Sequence, residues 1–140
     1  MTMRALAIAL IVVPFAAQSD EAACAFPESA AFLSVGAVID GRSAVLADGR
    51  EIRLAGIEVP FAARPGEASS APALASKNAL EALLAGRRVA MRPAEPATDR
   101  YGRAVSYVFR EGETVPLQIA LLAAGLAQAS GDMDPCRAAL

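Results

Sequence analysis

The stretch "SAVLADGREIRLAGI", residues 43–57, decides the fold of this chain. Asp48 and Gly49 lie between two runs of strand-forming residues, Ser-Ala-Val-Leu before them and Glu-Ile-Arg-Leu after them. An Asp-Gly pair in that position is among the strongest short signals for a β-hairpin, because both residues tolerate the positive φ of a tight turn. The stretch therefore predicts two antiparallel strands joined at Asp48-Gly49.

The elements before and after this hairpin extend it into a small mixed fold. "AAFLSVGAVID", residues 30–40, is rich in Phe, Leu, Val and Ile and predicts a further strand, so that three consecutive antiparallel strands are expected over about residues 31–57. Residues 61–72 are rich in Ala, Ser, Gly and Pro and predict an exposed loop. The spacing of apolar residues then predicts a helix over about 72–85, with Gly86 as its C-terminal stop.

The C-terminal half predicts two more strands and another helix. "RRVAMRP", residues 87–93, alternates arginine with apolar residues and predicts a fourth strand that Pro93 closes. "AVSYVFREGETV", residues 104–115, predicts a fifth strand and a turn. "PLQIALLAAGLAQAS" predicts a second helix from Pro116 to Gly125. This order predicts an α+β fold built on a five-stranded OB-type β-barrel with helices capping it.

The N-terminus has the pattern of an export signal. The chain has 140 residues, which suits one domain. Arg4 precedes an apolar run from Ala5 to Ala17, which is too short to span a bilayer and has the length of a signal-peptide core. We predict a signal peptide over 1–23, cleaved near 19–23, a domain over 30–140, a periplasmic or secreted location and no transmembrane segment after cleavage. The alternatives are an uncleaved anchor and a buried helix.

Composition excludes several kinds of site. The chain has no histidine, which excludes Ser-His-Asp and Cys-His nucleophilic sites and every histidine-ligated metal. Its two cysteines, Cys24 and Cys136, cannot form a structural zinc site; they are a candidate disulfide in an exported protein, or else two separate thiols. The net charge of −2 argues against strong nonspecific attraction to a polyanion, so nucleic acid is expected only as a weak partner. Chemistry must therefore rest on carboxylates, arginines, hydroxyls or a hard cation.

The best local candidate for binding is "TDRYGRAVSYVF", residues 98–109. It places Arg100 and Arg103 in a glycine-containing turn directly before a strand. From there a guanidinium can reach a cleft and hold an anion by two parallel hydrogen bonds. The alternative is an ordinary solvated loop.

Three ordered stretches together resemble the thermonuclease family, the staphylococcal-nuclease-like domains. "VIDGRSAVLADGREIRLAGIEVP" resembles the first three strands of the family, "TDRYGRAVSYVF" its signature turn and fifth strand, and "VPLQIALLAAGLAQ" the helix that follows. The resemblance runs from about Val35 to Gln128. It implies the same OB-type barrel, capped by two to three helices, with the third beginning near Pro135. It also implies calcium-dependent hydrolysis of phosphodiester bonds.

The resemblance implies three catalytic positions. Two bind phosphate and are kept in this chain, and the third, a general base, is replaced. The two phosphate-binding arginines of the family correspond to Arg53 and Arg103, and both are present. The glutamate that acts on the attacking water corresponds to Phe61, which can neither accept a proton nor orient a water molecule. A missing general base typically lowers the rate by about 10² to 10⁴. Glu67 and Asp99 are the nearest candidate carboxylates in sequence to substitute for it.

The implied metal site also departs from the family. The Asp-Gly-Asp-Thr turn of the family reads Asp40-Gly41-Arg42-Ser43 here, so Arg42 stands in place of a calcium ligand and would repel a divalent cation. Asp40 and Glu58 are the remaining candidate metal ligands. Loss of a catalytic metal typically removes several kcal/mol of charge stabilisation.

These departures predict an exported, catalytically impaired domain that binds an anion, a phosphate group or nucleic acid through its arginines. No cofactor is expected, and calcium is expected only if the chain is active. One alternative is a calcium-dependent nuclease acting on DNA or RNA. Another is a structural envelope interaction domain without ligand, in which Arg53 pairs with Glu51 or Glu58. The oligomeric state, the ligand and the completeness of the C-terminus are left open.

Overall fold

The computed structural model describes residues 25–130, which form seven strands and two helices. The predicted signal peptide over 1–23, the candidate disulfide between Cys24 and Cys136 and the third helix near Pro135 lie outside the described residues. The elements in chain order are β1 (Leu33–Asp40), β2 (Ser43–Leu46), β3 (Glu51–Leu54), β4 (Ile57–Glu58), α1 (Ala71–Leu84), β5 (Arg88–Thr98), β6 (Ala104–Arg110), α2 (Gln118–Ala123) and β7 (Gln128–Ala129).

Five of the strands close into a barrel in the order β1-β2-β3-β6-β5. Strand β1 pairs with both β2 and β5 and so completes the ring, while β3 and β6 pair in parallel. The predicted five-stranded OB-type α+β fold is confirmed. The two short strands β4 and β7 pair with each other outside the barrel.

The hairpin between β2 and β3 forms where the Asp-Gly pair predicted it. Gly49 adopts a φ of 88°, and the side chain of Asp48 accepts a hydrogen bond of 3.0 Å from the backbone N–H of Arg50. In β3 the side chains alternate, so that Ile52 and Leu54 are buried while Glu51 and Arg53 are half-buried. This alternation packs one face of the strand against the core and leaves the other face available for a site.

Helix α1 covers one end of the barrel. The side chain of Ser70 accepts a hydrogen bond from the N–H of Ala73 and caps the first turn, and Leu80 and Leu84 are buried in the same apolar cluster as the barrel strands. The predicted helix over about 72–85 is therefore confirmed. Among the described residues, neither helix is long and apolar enough to cross a membrane.

Two predicted boundaries were wrong. The fourth strand was expected to close at Pro93, but β5 continues to Thr98. Pro93 still pairs with Ser106, and a shift in register between Pro93 and Thr98 absorbs the missing N–H donor, because an irregular ladder tolerates proline. The second helix was expected from Pro116 to Gly125, but α2 is limited to Gln118–Ala123.

Helix α2 is attached to the barrel through a buried amide. The Nε2 atom of Gln118 donates hydrogen bonds of 3.3 and 3.1 Å to the carbonyl oxygens of Ala55 and Ser106, and its Oε1 atom accepts one of 3.3 Å from the N–H of Val108. The side chain is fully buried, so losing it would leave three backbone groups without these partners. Gln118 thus holds the end of β3 and the middle of β6 in fixed positions relative to each other.

Candidate functional site

The turn between β1 and β2 carries Arg42 and is held in place on both sides. The Oδ1 atom of Asp40 accepts a hydrogen bond of 2.8 Å from the backbone N–H of Arg42. Gly41 is buried, and a Cβ atom added there would lie 2.5 Å from the Cβ atom of Ser76 in α1. The close approach requires glycine at this position, and it fixes the point from which the Arg42 side chain starts.

The guanidinium of Arg42 is bound within the protein. It forms an ion pair with the carboxylate of Glu58 and donates a hydrogen bond of 3.2 Å to the carbonyl oxygen of Ile57. The Arg42 side chain is only 15% exposed, whereas that of Glu58 is 54% exposed. The guanidinium of Arg42 therefore binds the carboxylate of Glu58, which the sequence analysis suggested as a metal ligand.

Arg53 lies on β3 and lacks such a partner. Within residues 25–130 its guanidinium forms no hydrogen bond or ion pair, although Glu58 and Asp99 attract it from a distance. Burial lowers the pKa of Arg53 below its ordinary value, and the positive charges of Arg42 and Arg103 lower it further. A guanidinium nevertheless keeps its proton in proteins, so Arg53 places an unpaired positive charge between two other arginines.

The turn between β5 and β6 carries Arg103, and Asp99 organises it. The Oδ1 atom of Asp99 accepts hydrogen bonds of 2.9 and 3.1 Å from the N–H groups of Tyr101 and Arg103, and its Oδ2 atom accepts one of 2.7 Å from Nε of Arg103. The second side of the guanidinium lies 3.5 Å from a carboxylate oxygen of Glu51. Gly102, with a φ of 77°, allows the chain to turn sharply here.

The charges in this turn reinforce one another. Burial alone would lower the pKa of Arg103, but its hydrogen bonds with Asp99 and Glu51 outweigh that effect and raise the pKa above its ordinary value. Burial alone would raise the pKa of Asp99, but its side-chain and backbone hydrogen bonds with Arg103 and Tyr101 outweigh burial and lower it. Both groups are therefore charged at neutral pH and hold each other in position.

Two aromatic side chains lie beside these arginines. Arg100 and Arg103 place their guanidinium carbons 4.7 and 5.3 Å from the ring centroid of Tyr101, within the range of cation–π attraction. Phe61 lies in the loop after β4 and is 95% exposed. Sequence reasoning singled out Phe61 but missed Tyr101, whose position between two arginines and before Gly102 was the available signal.

These side chains line one open cavity of about 540 Å³, which we call the arginine cleft. Its lining combines three elements of the fold: the β1–β2 turn, strand β3 and the β5–β6 turn, together with the loop after β4. The residues are Arg42, Arg53, Phe61, Asp99, Arg100, Tyr101 and Arg103. A smaller cavity of about 160 Å³ shares Arg42, Arg53 and Phe61 with it and extends to Asp40.

The fold thus brings most of the sequence-predicted residues together. Arg53, Arg103, Arg42 and Phe61 line the arginine cleft, and Glu58 contacts it through the ion pair with Arg42. The suggestion that Arg53 pairs with Glu51 or Glu58 was wrong, because those carboxylates pair with Arg103 and Arg42 instead.

Asp99 and Glu67, the two carboxylates considered as substitutes for the missing general base, differ in position. Asp99 lines the cleft, but its carboxylate is occupied by hydrogen bonds from its own turn. Glu67 is exposed in the loop between β4 and α1 and does not line the described cleft. Neither is placed as an unoccupied base beside Arg53.

The donor set does not fit a calcium ion. Calcium takes about six to eight oxygen ligands, usually including several carboxylates. Within residues 25–130 there is no group of three or more acidic, cysteine or histidine side chains that could hold a metal. Of the two candidate ligands, Asp40 hydrogen-bonds its own turn and Glu58 is paired with a guanidinium, whose positive charge opposes a cation at the same carboxylate.

The fold and the site define an OB-type barrel that carries an arginine-lined cleft. A family model described as staphylococcal nuclease homologue matches residues 51–138, which is more than half of the chain. The protein belongs to this family. The match includes Arg53, Phe61 and Arg103, whereas the turn that carries Arg42 precedes it. A search of curated proteins found no match.

Proposed function

We propose that this protein is an exported member of the nuclease family that binds a phosphate-bearing anion in the arginine cleft and is impaired in hydrolysis. The observation that carries the proposal is the state of Arg53. Its charge faces the cleft without an ion-pair partner among the described residues, between Arg42 and Arg103. An anion bound there would supply the missing counter-charge.

The geometry suits a phosphate group. A guanidinium donates hydrogen bonds in a planar fork that matches two phosphate oxygens, and such charge-assisted contacts are stronger than neutral ones. Arg53 is the group that would contact the anion directly. Arg103, already oriented by Asp99, would contribute its charge and its remaining N–H groups. Arg42 would add charge while it stays paired with Glu58.

The proposed loss of hydrolysis follows from the groups that border the cleft. Phe61 supplies no base, Asp99 is bound to Arg103, and Glu58 is bound to Arg42. General base catalysis needs a group that can accept a proton within hydrogen-bond reach of the attacking water. None of these three side chains meets that requirement in its present contacts.

Export is part of the proposal and depends on the N-terminal pattern alone. The positively charged start and the apolar run from Ala5 to Ala17 favour a signal peptide and a periplasmic or secreted location. The acidic net charge of −2 favours a small anion over a long polyanion, so nucleic acid would bind weakly.

Family membership favours a second candidate, a calcium-dependent nuclease that acts on DNA or RNA. A nuclease assay separates it from the first. The purified protein is incubated with single-stranded DNA and calcium, beside the variants Arg53→Ala and Arg103→Ala. We expect no cleavage. Cleavage that both variants abolish would contradict the binding-only function.

Thermal unfolding in the presence of inorganic phosphate tests the binding itself. A ligand that binds only the folded state raises the unfolding midpoint, so phosphate should raise the midpoint of the wild type and not that of Arg53→Ala. Arg87→Ala is the matched control, because Arg87 is exposed and lies outside the cleft. An equal rise in all three proteins, or none in the wild type, would contradict the proposal. No rise would instead favour a structural domain without ligand.

A further inference from the structure

Phe61 is the most exposed of the large apolar side chains in the described structure, at 95%. Isolated exposed apolar residues are common and need no explanation. Phe61, however, lines both the arginine cleft and the smaller cavity that adjoins it, and Arg53 lines both as well. An aromatic face and an unpaired cation thus border the same open space.

The second aromatic residue of the cleft is in a different state. The ring of Tyr101 is already in contact with the guanidinium groups of Arg100 and Arg103. Among the described residues, no aromatic ring or guanidinium is placed against the ring of Phe61 in this way. The face of Phe61 is therefore available to a ligand, whereas the ring of Tyr101 already contacts two guanidinium groups.

The size of the cleft also bears on the ligand. Its volume of about 540 Å³ lies within the roughly 300–1,000 Å³ that is typical of small-molecule sites. A bare phosphate ion would fill only a small part of that volume. A phosphate carried on a larger group can contact Arg53 and the loop that bears Phe61 at the same time.

We infer that Phe61 is a specificity-determining residue, and that the cleft selects phosphate monoesters of planar aromatic groups over aliphatic ones. The inference rests on the proposed phosphate-binding function. The phosphate binds at Arg53, and the ring of the ester packs against the face of Phe61, since aromatic pairs gain more than their buried area alone supplies. The phenylalanine at this position thus adds selectivity to the site.

The test compares phenyl phosphate with cyclohexyl phosphate, which has a ring of the same atom count without a π-system. Binding is measured by calorimetry at pH 8, where both esters are dianions. We expect the wild type to bind phenyl phosphate about tenfold more tightly than cyclohexyl phosphate. Phe61→Leu, which keeps an apolar side chain without an aromatic ring, should bring the ratio of dissociation constants close to one. Phe61→Tyr should preserve the preference.

The control is Leu74→Ala, which removes another exposed apolar side chain, on α1 and outside the cleft. It should leave the ratio at the wild-type value. If inorganic phosphate binds but the two esters bind equally, or if Phe61→Leu keeps the preference, the inference is wrong and the phosphate site stands. If neither inorganic phosphate nor either ester binds the wild type, the proposed function fails and the inference fails with it.

Discussion

The two turns that border the arginine cleft are built alike but use their charges differently. In each, an aspartate side chain accepts a backbone hydrogen bond and an arginine follows, Asp40 before Arg42 and Asp99 before Arg103. Asp99 also binds the guanidinium of its own arginine, whereas the guanidinium of Arg42 reaches Glu58 on β4. Both turns present an arginine whose charge is already matched.

Arg53 lies between these turns and is the exception. Arg42 and Arg103 line the cleft with their charges paired, and Arg53 lines it without an ion-pair partner among the described residues. Arg53 should therefore bind the ligand directly, and the two paired arginines should help to position it. Substitutions in the two turns should mainly change stability, and a substitution at Arg53 should mainly change binding.

The largest expected effect lies in the glycines of the two turns. Gly41→Ala places a Cβ atom 2.5 Å from that of Ser76 and should lower the free energy of unfolding by about 1 to 3 kcal/mol through overpacking. Gly102→Ala meets no atom within 4 Å but adopts a φ of 77°, which costs about 1 to 2 kcal/mol. Urea unfolding measures both. A Gly41→Ala variant as stable as the wild type would contradict the packing of the first turn against α1.

Substituting the paired Arg103 and the unpaired Arg53 should have different effects on the free energy of unfolding. Arg103→Ala leaves Asp99 and Glu51 without their partner and should lower the free energy of unfolding by about 1 to 2 kcal/mol. Arg53→Ala should leave it unchanged or raise it slightly, since burial and neighbouring positive charges disfavour the charged form of Arg53. Urea unfolding in buffer without phosphate compares them. A similar loss in both variants would mean that Arg53 is paired in solution.

The pH dependence of stability should reveal the ion pair of the β5–β6 turn. The pKa of Asp99 lies below its ordinary value of 3.8, so its contribution is fully present above that pH and is lost as the pH falls through the lower folded value. Asp99→Asn should therefore be less stable than the wild type at pH 7, and the difference should shrink below about pH 4. Thermal midpoints from pH 2 to pH 7 measure it. A difference independent of pH would exclude a charged Asp99–Arg103 pair.

The smallest expected effect concerns the partner of Arg42. Glu58→Gln removes the carboxylate that holds Arg42, and it should raise the affinity for phosphate a few-fold because Arg42 gains an unmatched charge. Its effect on stability should stay below about 1 kcal/mol, since the Glu58 side chain is half exposed. Phosphate titration by calorimetry measures the change. Weaker binding in Glu58→Gln would mean that the Arg42–Glu58 pair supports the site.

Local patterns predicted the fold well. The Asp48-Gly49 turn and the alternation of β3 are set by neighbouring residues, so the sequence carries a direct signal for both. The extent of β5 was missed because the pairing of Pro93 depends on a register shift against β6, which is not a local property. The short β4–β7 pair was missed for the same reason, since each strand has two residues and their pairing joins distant parts of the chain.

The sequence analysis named most of the residues that meet in the arginine cleft, but it did not predict how their charges pair. The resemblance supplied Arg53, Arg103 and Phe61, and the fold places all three around one cleft. The sequence indicated that Arg42 would repel a cation, but the ion pair with Glu58 depends on how the first turn lies against β4. Such long-range contacts between charged side chains cannot be derived from spacing along the chain.

Calorimetric titration with inorganic phosphate, once in EDTA and once in calcium, shows whether the positive charge of Arg53 binds the anion without a metal ion. We predict saturable binding by the wild type with the same dissociation constant in both buffers, and at least tenfold weaker binding by Arg53→Ala. Binding that requires calcium, or that Arg53→Ala retains in full, would contradict this role of Arg53.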